Sequence, residues 1–111
     1  MLRTLVNLGF KQQEAEVYVF LAANGSQEAR DIADALKAHK RQIYRILRRL
    51  KNKEIVNTTS SLPAKFSAVS LEKVLDLFMK TAMQQAKVFQ ASRKELLSNW
   101  RSINEKDSSN S

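Results

Sequence analysis

Between Lys37 and Lys53 the chain carries eight Lys or Arg residues and no Asp or Glu, while its apolar residues fall at helical spacing. Ile43, Ile46, Leu47 and Leu50 recur as neighbours on one side of a helix, the pattern of a face built to be buried. Arg41, Arg45, Arg48 and Asn52 occupy the opposite side, with Arg49 beside them. One side must enter a core and the other must stay outside it. The whole chain has 19 Lys and Arg against 11 Asp and Glu, a net charge of +8, so this segment equals the entire excess. A solvated helix face usually alternates the sign of its charges. One that is wholly cationic fits a phosphate polyanion.

At 111 residues the chain is expected to form one domain with an appended element. It contains no cysteine, which excludes disulfides, Cys-based zinc sites and thiol catalysis and fits a reducing cytoplasm. A pI near 10.1 favours nucleic acid or an anionic membrane surface. No stretch approaches a membrane span, and the first residues lack the pattern of a signal peptide. The basic segment thus favours nucleic acid as the partner, and the missing cysteines fit a cytoplasmic location. Two Gly, one Pro and few β-branched runs point to a mainly helical protein.

Along the chain, Leu2, Leu5, Val6 and Leu8 make a short amphipathic segment that Gly9 can stop. From about Gln12 to Ala23, Ala15, Tyr18, Val19 and Ala22 form one apolar face and Val17, Phe20 and Leu21 a second, so this helix is expected to be buried on both sides. Asn24 and Gly25 end it, and Ser26 and Gln27 are expected as a short extended link. Ala29, Ile32, Ala33 and Leu36 give the next helix. Joined to the basic helix through Lys37 to His39, it has the spacing of a helix-turn-helix. Ile55–Thr59 and Lys65–Val69 then read as two strands around Ser60–Ala64, which holds the only Pro. Such a hairpin is the wing of a winged helix.

Ser70 is a good N-cap, with Glu72 in the first turn after it. The following apolar stripe includes Val74, Leu75, Phe78, Met79, Ala82, Met83, Phe89, Leu96, Trp100 and Ile103, uninterrupted by Gly or Pro. A helix to about Asn104 would be about 50 Å long, more than a domain of this size covers. The stripe is therefore expected to meet a second copy of the chain. Gln85 and Ser92 interrupt the seam, favouring an antiparallel or bundled pairing over a strict parallel zipper. The expected architecture is mainly α with a small β-hairpin wing. Residues 1–69 form a winged helix-turn-helix, 70–104 a C-terminal dimerisation helix and 105–111 a disordered tail.

Phe10 to Leu21, FKQQEAEVYVFL, resembles the first-helix signature of the archaeal TrmB-type transcriptional regulators, with Glu14, Ala15, Val17 and Tyr18 on its recurring E-A-x-V-Y. The resemblance continues through Asn24-Gly25, Ile32-Ala33, Ile43-Tyr44 with Leu47 and Leu50, Ile55-Val56, and Phe66 with Ala68-Val69. It covers about residues 1–75 and implies a sequence-specific DNA-binding transcription factor, whose expected partner is double-stranded DNA rather than a membrane and whose expected location is the nucleoid of the cytoplasm. The sequence departs from the family pattern at Lys37 and Glu54, where Gly is common, at His39, where Pro is common, and at Lys11, where a capping Thr is usual. Longer members carry a C-terminal sugar-binding domain. This chain looks like the short form, a DNA head on a dimerisation helix, and no sugar-sensing role is carried over.

In a winged helix the N-terminal part of the second motif helix meets base edges in the major groove. Lys40, Arg41, Gln42 and Arg45 are the expected readers, Arg and Lys suiting guanine and Gln suiting adenine. Arg48, Arg49 and Lys51 lie further along and are expected on phosphates. The wing has Lys65 as its one charge, so hydroxyls of Thr58, Thr59, Ser60 and Ser61 join it there. Tyr44 sits at the edge of the apolar face and suits either the core or a phosphate. His39, the one histidine, is expected as a turn residue. The expected dimer interface comprises Leu75, Phe78, Ala82, Phe89, Leu96, Trp100 and Ile103, helped by Val17, Phe20 and Leu21. No nucleophile motif, phosphate loop or metal spacing occurs, so no enzyme, cofactor or metal is expected. The cluster of Phe78, Met79 and Met83 reads as packing before it reads as a ligand pocket. No pattern specifies an effector. Two other readings remain: an architectural chromatin protein with weak sequence preference, and a winged helix that grips an acidic protein.

Overall fold

Three helix ends in the first half of the chain are closed by the same backbone hydrogen bond. In the computed structural model, which describes residues 1–109, the elements run α1 (Leu2–Asn7), α2 (Gln12–Asn24), β1 (Gln27–Glu28), α3 (Ala29–Leu36), α4 (Lys40–Asn52), β2 (Val56–Thr58), β3 (Lys65–Ala68) and α5 (Leu71–Ser109). The N–H of Phe10 donates to the Leu5 carbonyl at 3.1 Å, that of Ala38 to Ala33 at 3.0 Å and that of Ile55 to Leu50 at 2.9 Å. Each bond spans a residue at positive φ: Gly9 at 120°, Lys37 at 54° and Glu54 at 63°. The reversal satisfies the last carbonyls of the helix and returns an apolar residue to the core; Phe10 and Ile55 are both buried. The positions where the family pattern has Gly are thus left-handed here too, but Lys and Glu hold them, at a cost of about 1–2 kcal/mol each.

The chain divides into two units, Met1–Val74 and Leu75–Ser111. In the first, α2, α3 and α4 pack their apolar faces together, with Ile43, Ile46, Leu47 and Leu50 all buried as their spacing predicts. Tyr18 fixes the core to the sheet: its ring lies 5.6 Å from that of Phe10, and its hydroxyl donates to the Val69 carbonyl at 2.7 Å. Burial raises the pKa of this phenol, so the hydroxyl keeps the proton it donates.

The wing hairpin forms where the alternation places it, with Val56 opposite Ala68 and Thr58 opposite Phe66. Its strands are shorter than expected. The link at Ser26 and Gln27 differs more: Gln27 and Glu28 are β1 and pair antiparallel with Phe66 and Lys65 of β3, giving a three-stranded sheet of order β1-β3-β2. Two residues carry no periodicity of their own. What makes them a strand is the free edge of β3, whose backbone groups need partners.

Helix α2 corrects a second expectation. Glu14, Ala15, Val17, Tyr18 and Leu21 are buried, whereas Ala22 is exposed and Val19 and Phe20 are half-buried. The helix thus has one wide inward stripe rather than two faces. Val17 and Leu21, each 1% exposed, are spent on the core of their own unit and cannot serve a dimer interface.

Helix α5 starts where Ser70 predicts, the serine hydroxyl accepting the Lys73 N–H at 3.4 Å. It runs five residues past the expected end at Asn104, because nothing from Leu71 to Ser109 is a Gly or Pro that would break its hydrogen-bond ladder. The expected tail from 105 thus falls partly within α5, and residues 110 and 111 lie outside the described residues. Beyond Val74 the stripe is largely exposed, Phe89 at 71% and Trp100 at 59%. Among the described residues no helix is long and apolar enough to cross a membrane.

Candidate nucleic-acid interface

With its apolar face in the core, α4 turns Lys40, Arg41, Tyr44, Arg45, Arg48 and Lys51 outward, and Gln42 is half-buried beside them. No acidic residue lies in its first turn and no side chain caps it, so the positive end of the helix dipole adds to the field of Lys40 and Arg41. Among the described residues, Arg41, Arg45 and Arg48 form no ion pair. Arg41, Gln42, Arg45 and Arg49 line an open groove of about 610 Å³ together with His39 and with Gln13 of α2. The fold thus brings three of the expected base readers, Arg41, Gln42 and Arg45, into one concave surface. Gln13 was not legible as a contributor, because only the crossing of α2 and α4 brings it there.

Tyr44 is 48% exposed and its ring lies 5.9 Å from the Lys40 ammonium, so of its two open roles the core one is excluded. The ring steadies a cation at the start of the helix by a cation–π contact.

The far end of α4 behaves differently. Glu14 is fully buried and accepts hydrogen bonds from the Lys11 N–H at 2.9 Å and from the Lys53 ammonium at 3.2 and 3.3 Å, and its Oε2 lies 3.9 Å from Nε of Arg49. Burial would raise the pKa of this carboxyl. The Lys11 N–H, Lys53 and Arg49 outweigh it and hold the group below its usual value, so it is anionic at neutral pH. Lys53, a free cation when the sequence is read linearly, is thereby neutralised. Arg49 is divided: its side chain is 36% exposed and reaches the groove, but Nε is buried and turned toward Glu14. The Glu14–Lys11 contact is half of a capping box, the half that survives where Lys stands in place of Thr and offers no acceptor.

In the wing, the Thr59 hydroxyl oxygen accepts from the Lys65 N–H at 2.9 Å and from the Ser61 hydroxyl at 3.0 Å, and the Thr58 hydroxyl donates to the Thr59 carbonyl at 3.4 Å. Three of the four hydroxyls expected on phosphates therefore shape the turn. Ser60 and the Lys65 ammonium are exposed and form no such bond among the described residues. Nor do the described residues contain a cluster of His, Asp or Glu able to hold a metal ion.

The model of the family described as the sugar-specific transcriptional regulator TrmB matches residues 5–72. Among solved structures, the chain is similar to TrmBL2, described as an archaeal chromatin protein with a novel mode of DNA binding. The TM-score is 0.80 at 23% identity over 89% of this chain, which spans only 38% of the TrmBL2 chain. It is similar to a possible transcriptional regulator of Methanosarcina mazei, with TM-score 0.67, 16% identity and coverage of 79% and 80% of the two chains. It also resembles MepR, a transcription regulator of the Staphylococcus aureus multidrug efflux pump MepA, with TM-score 0.57, 19% identity and coverage of 98% and 86%. A MepR variant has been solved bound to an oligodeoxyribonucleotide. At these identities the likeness shows a shared winged helix fold. No curated protein matches the chain by sequence.

Proposed function

This chain belongs to the TrmB family of transcriptional regulators, and we propose that it is a homodimeric, sequence-specific DNA-binding regulator of the cytoplasm, associated with the nucleoid. The observation that carries the reading is the row of exposed cations on α4, with Arg41 and Arg45 lining a groove and the opposite face of the helix buried in the core. With α4 in the major groove, Lys40, Arg41, Gln42 and Arg45 read base edges. Arg48, Lys51, Tyr44 and Lys65 contact phosphates, with Ser60 adding a hydroxyl and Arg49 a share of its charge. The exposed stripe of α5, including Leu75, Ala82, Phe89, Leu96, Trp100 and Ile103, pairs two copies.

The test begins with selection of a preferred site from random duplexes. Arg45→Ala then costs about 1–3 kcal/mol on that site and flattens its preference, while Lys51→Ala weakens all duplexes alike and lowers the salt slope by about one unit for each phosphate no longer neutralised. Affinity falls by orders of magnitude between about 50 and 200 mM salt. A second reading, an architectural chromatin protein, is favoured by the likeness to TrmBL2. Selection that returns no preferred sequence, with salt-sensitive binding intact, supports that reading instead.

A further inference from the structure

The α5 stripe has a symmetry that decides how two copies would pair. On a helix advancing about 100° per residue, the side chains within about 40° of Phe89 from Leu75 to Ile103 are Leu75, Phe78, Ala82, Gln85, Phe89, Arg93, Leu96, Trp100 and Ile103. They lie at equal distances on either side of Phe89, and the members of each pair are either alike or complementary. The aliphatic Leu75 mirrors the aliphatic Ile103, the aromatic Phe78 mirrors the aromatic Trp100, the small Ala82 mirrors the larger Leu96, and the amide of Gln85 mirrors the guanidinium of Arg93. All but the half-buried Phe78 are exposed.

We infer that two copies pair their α5 helices antiparallel about Phe89, each seam residue meeting its mirror residue on the partner. The inference deepens the homodimer reading above and rests on it. Antiparallel pairing sets small Ala82 against Leu96, filling the gap a small residue leaves, and brings Leu75 against Ile103 as an aliphatic pair. It gives each Arg93 guanidinium a Gln85 carbonyl oxygen as acceptor, twice by symmetry. The parallel, in-register alternative sets Arg93 against Arg93, like charges within the seam, and Ala82 against Ala82 next to Phe89 against Phe89. The stripe therefore disfavours that arrangement at both its polar and its apolar layers.

The chain contains no cysteine, so single cysteines report the pairing in the 111-residue chain. Under mild oxidation, Phe89→Cys cross-links to itself. Leu75→Cys alone and Ile103→Cys alone do not, but a mixture of the two, one carrying a mass tag, gives the mixed dimer. In the antiparallel seam two copies of residue 75 lie about 42 Å apart by the helical rise, far beyond the reach of a disulfide. Cross-linking of Leu75→Cys to itself overturns the inference and leaves the homodimer standing. A monomeric wild-type protein in light scattering overturns both. A second variant needs no new bond: Gln85→Glu places a carboxylate opposite Arg93 twice and tightens the dimer about threefold to tenfold. In the parallel arrangement it sets Glu against Glu, and a weaker dimer likewise overturns the inference.

Discussion

Leu47 and Leu96 are the same residue on two amphipathic helices, one 1% exposed and the other 62%. In the first unit, α4 finds enough apolar surface on α2 and α3 to close its stripe within the chain. In the second, α5 has an apolar stripe of similar character that its own unit leaves open. The difference teaches that amphipathic spacing says a face will be covered, not what covers it. One helix is covered by its neighbours; the other keeps an exposed apolar stripe.

The sharpest way to break this comparison is to make the same change in both helices. Leu47→Ala should remove about 2–5 kcal/mol of stability from the first unit, seen as a large fall in its thermal midpoint. Leu96→Ala should leave that midpoint within the small range of surface substitutions, about 0.5 kcal/mol, and weaken self-association instead. If both substitutions unfold the first unit equally, the division between filled and open stripes is wrong.

A smaller effect separates the units by their polar anchoring. The first unit ties α2 to the end of α4 through buried Glu14. Glu14→Gln keeps the shape but removes the charge that Lys53 and Arg49 face, and should cost about 1–3 kcal/mol at neutral pH in urea titration. Because the folded carboxyl sits below its usual value of 4.5, its contribution is fully present above that pH. It is lost as pH falls through the lower folded value. The wild type and the variant should therefore converge in stability in acid, and an undiminished gap there would place the effect in packing rather than charge.

The smallest effects lie at the two left-handed residues that close α3 and α4. Lys37→Gly and Glu54→Gly should each raise the stability of the first unit by about 1 kcal/mol. Neither should alter self-association. Both are measurable as a shift in the denaturant midpoint, and a loss of stability at either position would mean that its side chain, rather than its backbone, is what holds the turn.

Much of this fold is legible in the sequence because its signals are local. The spacing of Ile43, Ile46, Leu47 and Leu50 specifies both the helix and its buried side, and by exclusion it specifies where Arg41, Arg45 and Arg48 must point. Alternation around Phe66 specifies the wing, and Ser70 the start of α5. The resemblance to the family rests on such local runs too, so Lys37 and Glu54 could be singled out as places where glycine was missing before their backbone angles were known. What tertiary structure alone decided is non-local. Gln27 and Glu28 become a strand only because the edge of β3 arrives beside them. Glu14 reaches Lys53 across 39 positions of sequence, pairing a cation counted toward the basic surface with a buried carboxylate, and only the crossing of α2 over α4 brings them together. The same crossing turns Val17 and Leu21 inward and brings Gln13 into the groove that Arg45 lines. Periodicity gives each helix an inside and an outside; which residues of other helices meet that inside is set by packing, and packing is a property of the whole chain.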